Sequence, residues 1–590
     1  MSITEETLKQ HLKDPAVLCC RREKGTVIGA HDLEDPSLFD DMVDAGLMTL
    51  KDNGLTIEEV VGSTLKEDSE ALVQLTPDLV DLVQPIHTSS DSEKETLHPA
   101  KTMMNNGGNA MMEINIDELK GLQLKVPQGW LSSHQGVNST GTQTQMVSEA
   151  TGEKKVIRQL KKQYYQIKDV KIGTETRIDN GNLTIDEGLI EGALETDKLI
   201  KKVTLDVIKP EDRHLYTDTI MDVCPIATKV EGKLGEGVTR ICEGVVFMLT
   251  GVDEDGVQVH EFGSSEGMLD EKMYFGNPGC ADENDIIIRC QATIERLSGM
   301  SRPGPLSAHK AQDFIIQAVR DQLKEYDGEM LREEVVEDVR RAGNKKVVLV
   351  KEIMGQGAMH DNVICPNEPC GVQGGRMNVD CGNVPIILTP NQVRDGAIHA
   401  LTCIGPATKE MTRHYMREPL VEGLAEDEEL DLVGVIFVGS PQVNDEKLWV
   451  SERLGTLLET LNVDGAVITT EGFGNNHIDF IEHIRQAGER NIPIVGASFC
   501  AYQGQLVVGT KYADAMIEEN LDAGGFENDI AGTSCVTKEV ATRAIQMLKN
   551  KIEGVEILPA KKQWDNTVIN ENNRLLGIPE NKLVESGTLH

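Results

Sequence analysis

The sequence predicts a multidomain α/β protein with a parallel βαβ, Rossmann-like sheet in its C-terminal part and a small N-terminal α/β or β-rich domain. Three observations lead to this prediction. The chain has 590 residues, enough for roughly three or four domains. After residue 430, strand-like apolar runs alternate with helical periodicity, which is typical of parallel sheets. Between residues 86 and 153 the composition becomes polar, which separates the first domain from the rest.

The chain is expected to divide into four parts. The first contains two strand-like runs, at residues 16–20 and 25–29, separated by charged residues. The polar second part contains several Ser, Thr, Asn and Gly clusters, which are typical of linkers. In order, we predict a small domain at 1–85, a partly disordered linker at 86–160, an α/β domain at 161–402 and a second α/β domain at 403–590.

The third part carries one clear turn and one clear helix. Asp179-Asn180-Gly181 lies between two alternating apolar runs, at residues 170–173 and 183–185, and predicts a hairpin between them. Apolar residues recur at helical spacing from residue 307 to residue 326, and predict an amphipathic helix that follows a Pro-Gly-Pro loop.

The last part of the chain predicts the parallel sheet. Its strand-like runs are continuously apolar, which fits strands that are covered on both faces. The predicted strands are 346–350, 432–439, 465–470, 494–498 and 506–509, and the predicted helices are 450–461, 476–487 and 536–552.

Two candidate site residues follow these strands. Ligands of parallel α/β sheets bind at the carboxyl ends of the strands. His360 lies in a Gly-rich loop after the strand at 346–350, and Glu471 follows the strand that ends at Thr470. Both residue types can act as acids or bases. The alternatives are a plain turn at His360 and a helix N-terminus capped by an Asn after Glu471.

Charge and apolar content exclude several classes of partner. The net charge of −39 disfavours nucleic acid and anionic membranes, because phosphates would be repelled. No apolar stretch reaches the 18 residues or so that a membrane span needs. The first residues lack the basic and apolar segments of a signal peptide, so we expect a cytoplasmic protein.

The cysteines indicate free thiols rather than a disulfide or metal framework. There are 12 Cys and none of them forms a CxxC pair. Cys365, Cys370 and Cys381 lie in one loop, but their spacing matches no standard metal site. The sequence therefore predicts no metal.

The stretch 394–410 can support chain cleavage. It is apolar around the pair Thr402-Cys403, with His399 four residues before the Cys. A Cys thiolate is a nucleophile, and in a strained turn it can attack the preceding carbonyl. Elimination from the resulting thioester cuts the chain and leaves an N-terminal dehydroalanine, and hydrolysis of that residue releases ammonia and gives a pyruvoyl group. The alternative interpretation is an ordinary buried Cys, since Cys is among the most buried residue types.

A family resemblance favours the first interpretation. Residues 399–410 resemble the processing site of the pyruvoyl-containing proproteins of the glycine and D-proline reductase family. Residues 14–29, 33–36 and 169–176 resemble the D-proline-specific members of that family. The resemblance covers most of the chain.

The resemblance implies both an activity and a set of partners. The chain would cut itself between Thr402 and Cys403, and Cys403 would become a covalent pyruvoyl cofactor. The enzyme would bind D-proline as an iminium and open its ring reductively to 5-aminopentanoate. Its expected partners are a selenocysteine-containing proline reductase subunit, an electron-donor protein or dithiol, and its own fragments, in a large hetero-oligomer.

The same resemblance suggests roles for individual residues. Cys403 would be the nucleophile of maturation and Thr402 the acyl donor. His399 is the first candidate for the general base, and His414 is the second. The cations Arg376, Arg394 and Arg413 are candidates, by position alone, for binding the substrate carboxylate.

Three alternative functions stay open at this stage. The chain could be the substrate component of a related sarcosine, betaine or hydroxyproline-betaine reductase. It could also be an uncleaved, non-catalytic homologue that assembles the complex. A nucleotide-binding module is disfavoured, because no GxGxxG motif follows a predicted strand in the C-terminal part.

Overall fold

The computed structural model describes residues 3–82, four residues between 116 and 122, and residues 154–557, apart from gaps. The gaps lie at residues 4–6, 20–21, 23, 37–38, 40–42, 44–47, 52, 68, 70–71, 260–264, 300–302, 354–362, 365–367, 372–382, 400–409, 442, 471–474, 499–507, 520–529, 533–534 and 556.

The N-terminal region consists of short elements around a small apolar core. Leu18, Ile28 and Leu75 are among its buried residues. The runs predicted as strands at 16–20 and 25–29 contribute single bridges among their described residues, for example from Val27 to Thr64. The elements are the 3-10 helices Leu8–Gln10 and Ala30–Asp32, helix α1 (Ile57–Val60) and the antiparallel strands β1 (Thr64–Leu65) and β2 (Val80–Asp81).

Residues 82–150 form a separate compact unit. Its described residues are two short antiparallel strands, β3 (Ile116–Asp117) and β4 (Gly121–Leu122). The rest of the predicted linker from 86 to 153 lies outside the described residues. The next strand begins at Lys154, so residues 154–160, which we assigned to the linker, belong to a sheet.

The middle of the chain is built of several sheets against one long helix. Its strands are β5 (Lys154–Gln166), β6 (Asp169–Gly173), β7 (Arg177–Asp179), β8 (Asn182–Asp186), β9 (Ile200–Ile208), β10 (Tyr216–Thr217), β11 (Ile220–Cys224), β12 (Ala227–Glu231), β13 (Gly237–Glu243), β14 (Val245–Asp253), β15 (Gly267–Met268), β16 (Ile286–Ile294) and β17 (Arg332–Arg341). Its helices are α2 (Leu189–Leu194), the 3-10 helix Pro210–Asp212, α3 (Leu269–Lys272) and α4 (Pro303–Glu325). Strands pair in the orders β11-β14-β16-β9, β12-β13-β5-β17, β6-β8-β7 and β10-β15.

The predicted turn is present, but it joins a different pair of strands. Asn180 and Gly181 have φ of 50° and 82°, as a two-residue type I′ turn requires, and they connect β7 to β8. A turn of this length pairs the residues on either side of it, so Ile178 lies opposite Leu183. The prediction that residues 170–173 form the other arm is wrong, because this run pairs with β8 in parallel as β6.

The predicted amphipathic helix is confirmed as α4, and it begins earlier than expected. Pro303 is its first residue, although we assigned the Pro-Gly-Pro segment to a loop. Proline suits the first turn of a helix, because the N–H groups there have no intrahelical acceptor. The side chains of Ala311, Ile315 and Val319 are fully buried in the core shared with the surrounding sheets.

The C-terminal region contains a six-stranded sheet. The strands of this region are β18 (Lys345–Ile353), β19 (Val363–Ile364), β20 (Ile386–Leu388), β21 (Ile398–His399), β22 (Leu430–Gly439), β23 (Gly465–Thr470), β24 (Ile494–Ser498) and β25 (Met516–Glu518). Of these, β19 and β21 form a separate two-stranded sheet. The helices are α5 (Pro390–Arg394), α6 (Thr412–Met416), α7 (Pro419–Glu426), α8 (Asn444–Leu461), α9 (Asn475–Glu489) and α10 (Lys538–Ile552).

Five strands of this sheet are parallel, and helices cover both of its faces. The order is β20-β22-β18-β23-β24-β25, with β20 antiparallel to β22. Val347 and Leu349 pack with residues of α7 and α10 on one face. Val348 and Val350 pack with residues of α8 and α9 on the other face. Double coverage explains why these strands read as continuous apolar runs.

The sheet combines strands from both sides of position 403. β18 precedes that position in the chain, and it pairs with β22 on one edge and β23 on the other, both of which follow it. The domain boundary that we expected at residue 402 therefore lies between strands of one sheet.

Within the described part of the chain, no helix combines the length and apolar character needed to cross a membrane.

Candidate active site around residues 399–418

The predicted cleavage bond lies between two buried anchors. Thr402 and Cys403 belong to the segment 400–409, which lies outside the described residues. The segment is preceded by His399 at the end of β21, which pairs with β19. It is followed by Glu410 and then by α6. The side chains of His399 and Glu410 are both buried.

Asp222 of β11 connects the two ends of this segment. Its Oδ1 accepts a hydrogen bond from the backbone N–H of Thr412 at 2.9 Å, and its Oδ2 accepts one from the Thr412 hydroxyl at 2.7 Å. The same Oδ2 lies 3.7 Å from Nε2 of His399. The carboxylate of Asp222 therefore binds Thr412 and lies close to His399, although 12 residues separate these two in the chain.

His399 is held in its neutral form. Burial lowers the pKa of His399 to about 4. Within the described part of the chain, neither of its ring nitrogens has a hydrogen-bond partner. A neutral imidazole can accept a proton or bind a metal ion. The general-base role stays a prediction, since Cys403 lies outside the described residues.

The second anchor is a buried ion cluster centred on Lys351 of β18. Its Nζ lies 2.5 Å from Oε1 of Glu410 and 3.1 Å from Oε1 of Glu418. Nε2 of His414 lies 3.1 Å from the same oxygen of Glu410. Although burial opposes it, these two carboxylates together raise the pKa of Lys351 above its usual value.

The same cluster makes His414 a poor general base. Burial lowers the pKa of His414, but Glu410, Cys535 and Glu418 together raise it well above the usual value. A histidine that keeps its proton at neutral pH cannot accept another one there. Of the two predicted bases, only His399 is in the form that the role requires.

A further polar group lies on the opposite face of β18. Glu352, next to Lys351, points to the other side of the sheet because side chains alternate along a strand. Its Oε1 accepts a hydrogen bond from the Thr470 hydroxyl at 3.1 Å, and its Oε2 lies 3.6 Å from Nε2 of His483. Burial, together with Asp479, raises the pKa of Glu352 well above its usual value. Burial therefore favours the protonated form of Glu352.

The two loop residues predicted from the sequence follow the strands that carry this group. Glu471 comes directly after Thr470, and His360 comes after the end of β18. Both lie outside the described residues, so their roles stay predictions. The strand ends that precede them are adjacent, because Glu352 pairs with Thr470 in the sheet register.

We expect His483 to make folding stability depend on pH. Burial, with the charge of Lys447, lowers the pKa of His483 to about 3. The unfolded chain therefore takes up this proton first as the pH falls below about 6.5, and the folded state loses stability progressively down to about pH 3. Between pH 6.5 and 5 the loss from this group is about 2 kcal/mol. The variant His483→Gln is expected to lose less folding stability than the wild type between pH 6.5 and pH 5, by about this amount. Urea unfolding at both pH values measures the difference.

The control for this prediction is His214→Gln. His214 is 74% exposed, so its replacement is expected to leave the pH dependence as in the wild type. If the His483→Gln and wild-type chains lose equal stability between pH 6.5 and 5, the prediction is wrong.

Two of the arginines predicted to bind substrate already have internal partners. Arg413 forms ion pairs with Asp285 at 2.6 Å and Asp282 at 2.7 Å. Arg394 is buried and lies 3.5 Å from Glu422. Arg376 is outside the described residues. Arg394 and Arg413 therefore stabilise the fold around the site, and neither offers an unpaired charge to a ligand.

Sequence reasoning missed Asp222, His309 and Lys351. Each is at most 1% exposed, and Asp222 and Lys351 lie in largely apolar strands, whereas His309 lies in a helical segment of mixed polarity. A charged side chain inside an apolar run is the signal that could have found Asp222 and Lys351, because a buried polar group needs a partner. The sequence alone did not identify those partners.

The family of this chain follows from comparison with known proteins. Residues 158–519 match the family model described as glycine/sarcosine/betaine reductase component B subunits. The match covers more than half of the chain. The chain belongs to this family.

Individual relatives extend the match to most of the chain's length. The D-proline reductase proprotein PrdA of Acetoanaerobium sticklandii is 48% identical over 595 residues, which cover 97% of this chain and 94% of that protein. Glycine reductase complex component B subunits alpha and beta of the same organism are 26% identical, covering 66% and 87%. Betaine reductase complex component B subunit alpha of Peptoclostridium acidaminophilum is 22% identical, covering 70% and 95%. No solved structure matches this chain.

Proposed function

We propose that this chain is the proprotein of a D-proline reductase, which cuts itself between Thr402 and Cys403 and turns Cys403 into a pyruvoyl group. The observation that carries the proposal is the 48% identity to the proprotein PrdA over 97% of the chain. A fold alone does not fix a reaction. The proposal therefore also depends on the motif at residues 399–410, which contains the reacting bond.

The described residues fit a reactive group at position 403. Cys403 lies four residues after His399 and seven residues before Glu410, and both of these are buried anchors. After a cut, residues 412 and 410 of the new C-terminal fragment stay bound to Asp222 and Lys351 of the other fragment. The two fragments are therefore expected to remain associated on either side of the cleavage position.

We place the substrate at the carboxyl edge of the parallel sheet. Numbered by their order in the chain, the parallel strands β22-β18-β23-β24-β25 read 2-1-3-4-5. This order is found in doubly wound, Rossmann-like sheets, whose ligands bind beside the first and third strands. Those strands are β18 and β23, which carry Glu352 and Thr470 at their ends and precede His360 and Glu471.

The proposed reaction divides between the pyruvoyl group and the chain's own residues. When formed, the group supplies a ketone that condenses with an amine. Carboxylates near that point, with Glu471 as the first candidate, would favour a cationic substrate nitrogen. His360 would be an acid or base there. Arg376 or backbone N–H groups would bind the substrate carboxylate, since Arg394 and Arg413 have internal partners.

The reductive half of the reaction requires partners. The sequence contains no selenocysteine. We therefore propose that a separate selenocysteine-containing subunit supplies the selenolate, and that a dithiol or an electron-donor protein supplies the electrons. The product is 5-aminopentanoate. The mature enzyme is then a hetero-oligomer of that subunit with both fragments of this chain.

The test is the state of the purified chain on a denaturing gel, followed by mass spectrometry. We expect two fragments, residues 1–402 and 403–590, with a hydrazide-reactive small fragment. Its mass should correspond to an end that lacks the amine and sulfur of Cys403. A single intact chain that reduces D-proline, assayed with the selenoprotein partner and a dithiol, would overturn the proposal. An intact and inactive chain favours a non-catalytic assembly protein.

The name of the matching family supports one alternative substrate class. That name covers glycine, sarcosine and betaine. A panel of D-proline, glycine, sarcosine and betaine separates the candidates. Betaine is a quaternary amine and cannot condense with a ketone, so activity on betaine alone would exclude the proposed chemistry.

A further inference from the structure

Three potential metal ligands converge in the core near the first anchor. Asp222 lies on β11, His309 on α4 and His399 at the end of β21, and each is at most 1% exposed. Oδ2 of Asp222 lies 3.7 Å from Nε2 of His399 and 3.8 Å from Nδ1 of His309. The two imidazole rings are 5.4 Å apart at an angle of 71°. One ligand atom from each residue lies within 4.8 Å of the others.

The carboxylate of Asp222 is buried without a cationic side chain of its own. Within the described ranges, its ion-pair contacts are to the two histidines alone. The nearby guanidinium of Arg320 pairs instead with Asp313 at 2.7 Å. A buried carboxylate is costly unless a positive charge lies close to it. Among the residues that the structure describes, no lysine or arginine supplies that charge to Asp222.

In the Lys351 cluster, by contrast, a cationic side chain lies beside the buried carboxylates. Glu410, His414 and Glu418 also offer ligand atoms within 4.8 Å of one another. There, however, the ammonium of Lys351 lies 2.5 Å and 3.1 Å from the two carboxylates and supplies the positive charge. Both groups are buried and combine carboxylates with histidines, but the second has two carboxylates and one histidine, and a lysine lies against it.

We propose that Asp222, His309 and His399 bind one divalent transition-metal ion, Zn²⁺ or Fe²⁺. Two imidazoles and one carboxylate are a donor set that both ions accept. Bond lengths of about 2.0–2.2 Å require ligand atoms about 3.3–3.6 Å apart in a tetrahedral site. The observed 3.7 Å and 3.8 Å are slightly longer and the two histidine ligand atoms lie within 4.8 Å of each other, so binding requires side-chain movements that bring the three atoms together.

A metal ion at this position would link several elements of the fold. Asp222 also accepts both hydrogen bonds from Thr412. A metal ion on its Oδ2 would fix β11, α4, β21 and the start of α6 to one point, and so fix both ends of the segment 400–409. This inference does not depend on the proposed reaction. It does exclude His399 as the general base, because a ring nitrogen that binds a metal has no free lone pair.

The test is the metal content of the full-length chain after dialysis against metal-free buffer. We expect about one equivalent of Zn or Fe in the wild type, and at least a tenfold loss in Asp222→Asn and in His309→Gln, which each remove a ligand. The matched control is Glu418→Gln, which is expected to keep the wild-type content because the Lys351 cluster binds no ion. Far-UV circular dichroism checks that each variant is folded.

A second measurement keeps the test decisive if a variant does not fold. The chelator-treated wild-type chain is titrated with Co²⁺, and one equivalent is expected to give the ligand-field absorption of a nitrogen and oxygen site and to raise the melting temperature. Metal content below a tenth of an equivalent together with no Co²⁺ signal would overturn the inference. Equal metal loss in Glu418→Gln and Asp222→Asn would also overturn it.

Discussion

The Cys403→Ala chain is expected to remain in one piece and to show no D-proline reduction above background. Alanine has neither the nucleophile that attacks the Thr402 carbonyl nor a leaving group on Cβ, so neither the thioester nor the elimination can occur. The measurement is a denaturing gel of the purified variant beside the wild type. It is combined with an assay of 5-aminopentanoate in the presence of the selenoprotein partner and a dithiol.

Two control variants separate the loss of the reactive group at position 403 from other effects of replacing a cysteine. Cys403→Ser keeps an oxygen nucleophile and a leaving group at the same position, so we expect slower cutting rather than none. Cys19→Ala removes a partly exposed thiol in the N-terminal region, where its Sγ donates to the carbonyl of His31, and it is expected to be cut normally. Reductase activity from an uncut Cys403→Ala chain would contradict the proposed maturation.

Replacing Lys351 by Met is expected to cost about 3–5 kcal/mol of folding stability. The change keeps an apolar side chain of similar length in the core, but it removes the cation that lies nearest to the buried carboxylates of Glu410 and Glu418. The free energy of unfolding, measured with urea, should report the loss directly. Because Glu410 borders the segment 400–409, self-cleavage of this variant should also slow down.

The matched control is a surface ion pair of nearly the same length. Nζ of Lys201 lies 2.6 Å from Glu295, compared with 2.5 Å from Lys351 to Glu410, but the surface side chains are 32% and 50% exposed. Lys201→Met is expected to leave unfolding unchanged within error, because water solvates the remaining carboxylate. A second chain that combines Lys351→Met with Glu410→Gln and Glu418→Gln should regain part of the loss. Equal effects of Lys351→Met and Lys201→Met would contradict the burial argument.

The local sequence pattern was sufficient to predict strands and turns whose conformation depends on residues that are adjacent in the chain. The strands at 345–353 and 430–439 are apolar throughout because both faces are covered, and they were predicted close to their observed bounds. The turn at Asn180-Gly181 was also found. Its strand partners were not, because a turn motif fixes the residues next to it but does not show which more distant run occupies the other edge of β8.

The polar contacts of the candidate site could not be predicted in this way. Asp222 binds a residue 190 positions away, and Lys351 binds one 59 positions away. Periodicity shows that such a side chain is buried but contains no information about its partner. The Thr402-Cys403 pair was found for a different reason, since its chemistry requires two adjacent residues and a recognisable motif surrounds them.

The C-terminal sheet combines strands from both sides of the proposed cleavage position, and this has a consequence for the lifetime of the enzyme. β18 is hydrogen-bonded along both edges to strands that follow position 403. Once the proposed cut is made, the shorter polypeptide cannot leave without unfolding the longer one. An oxidised or otherwise damaged terminus therefore cannot be repaired by exchange with a newly made fragment. If the proposed cleavage occurs, each molecule is expected to mature once, and turnover of the whole chain would be the way to renew it.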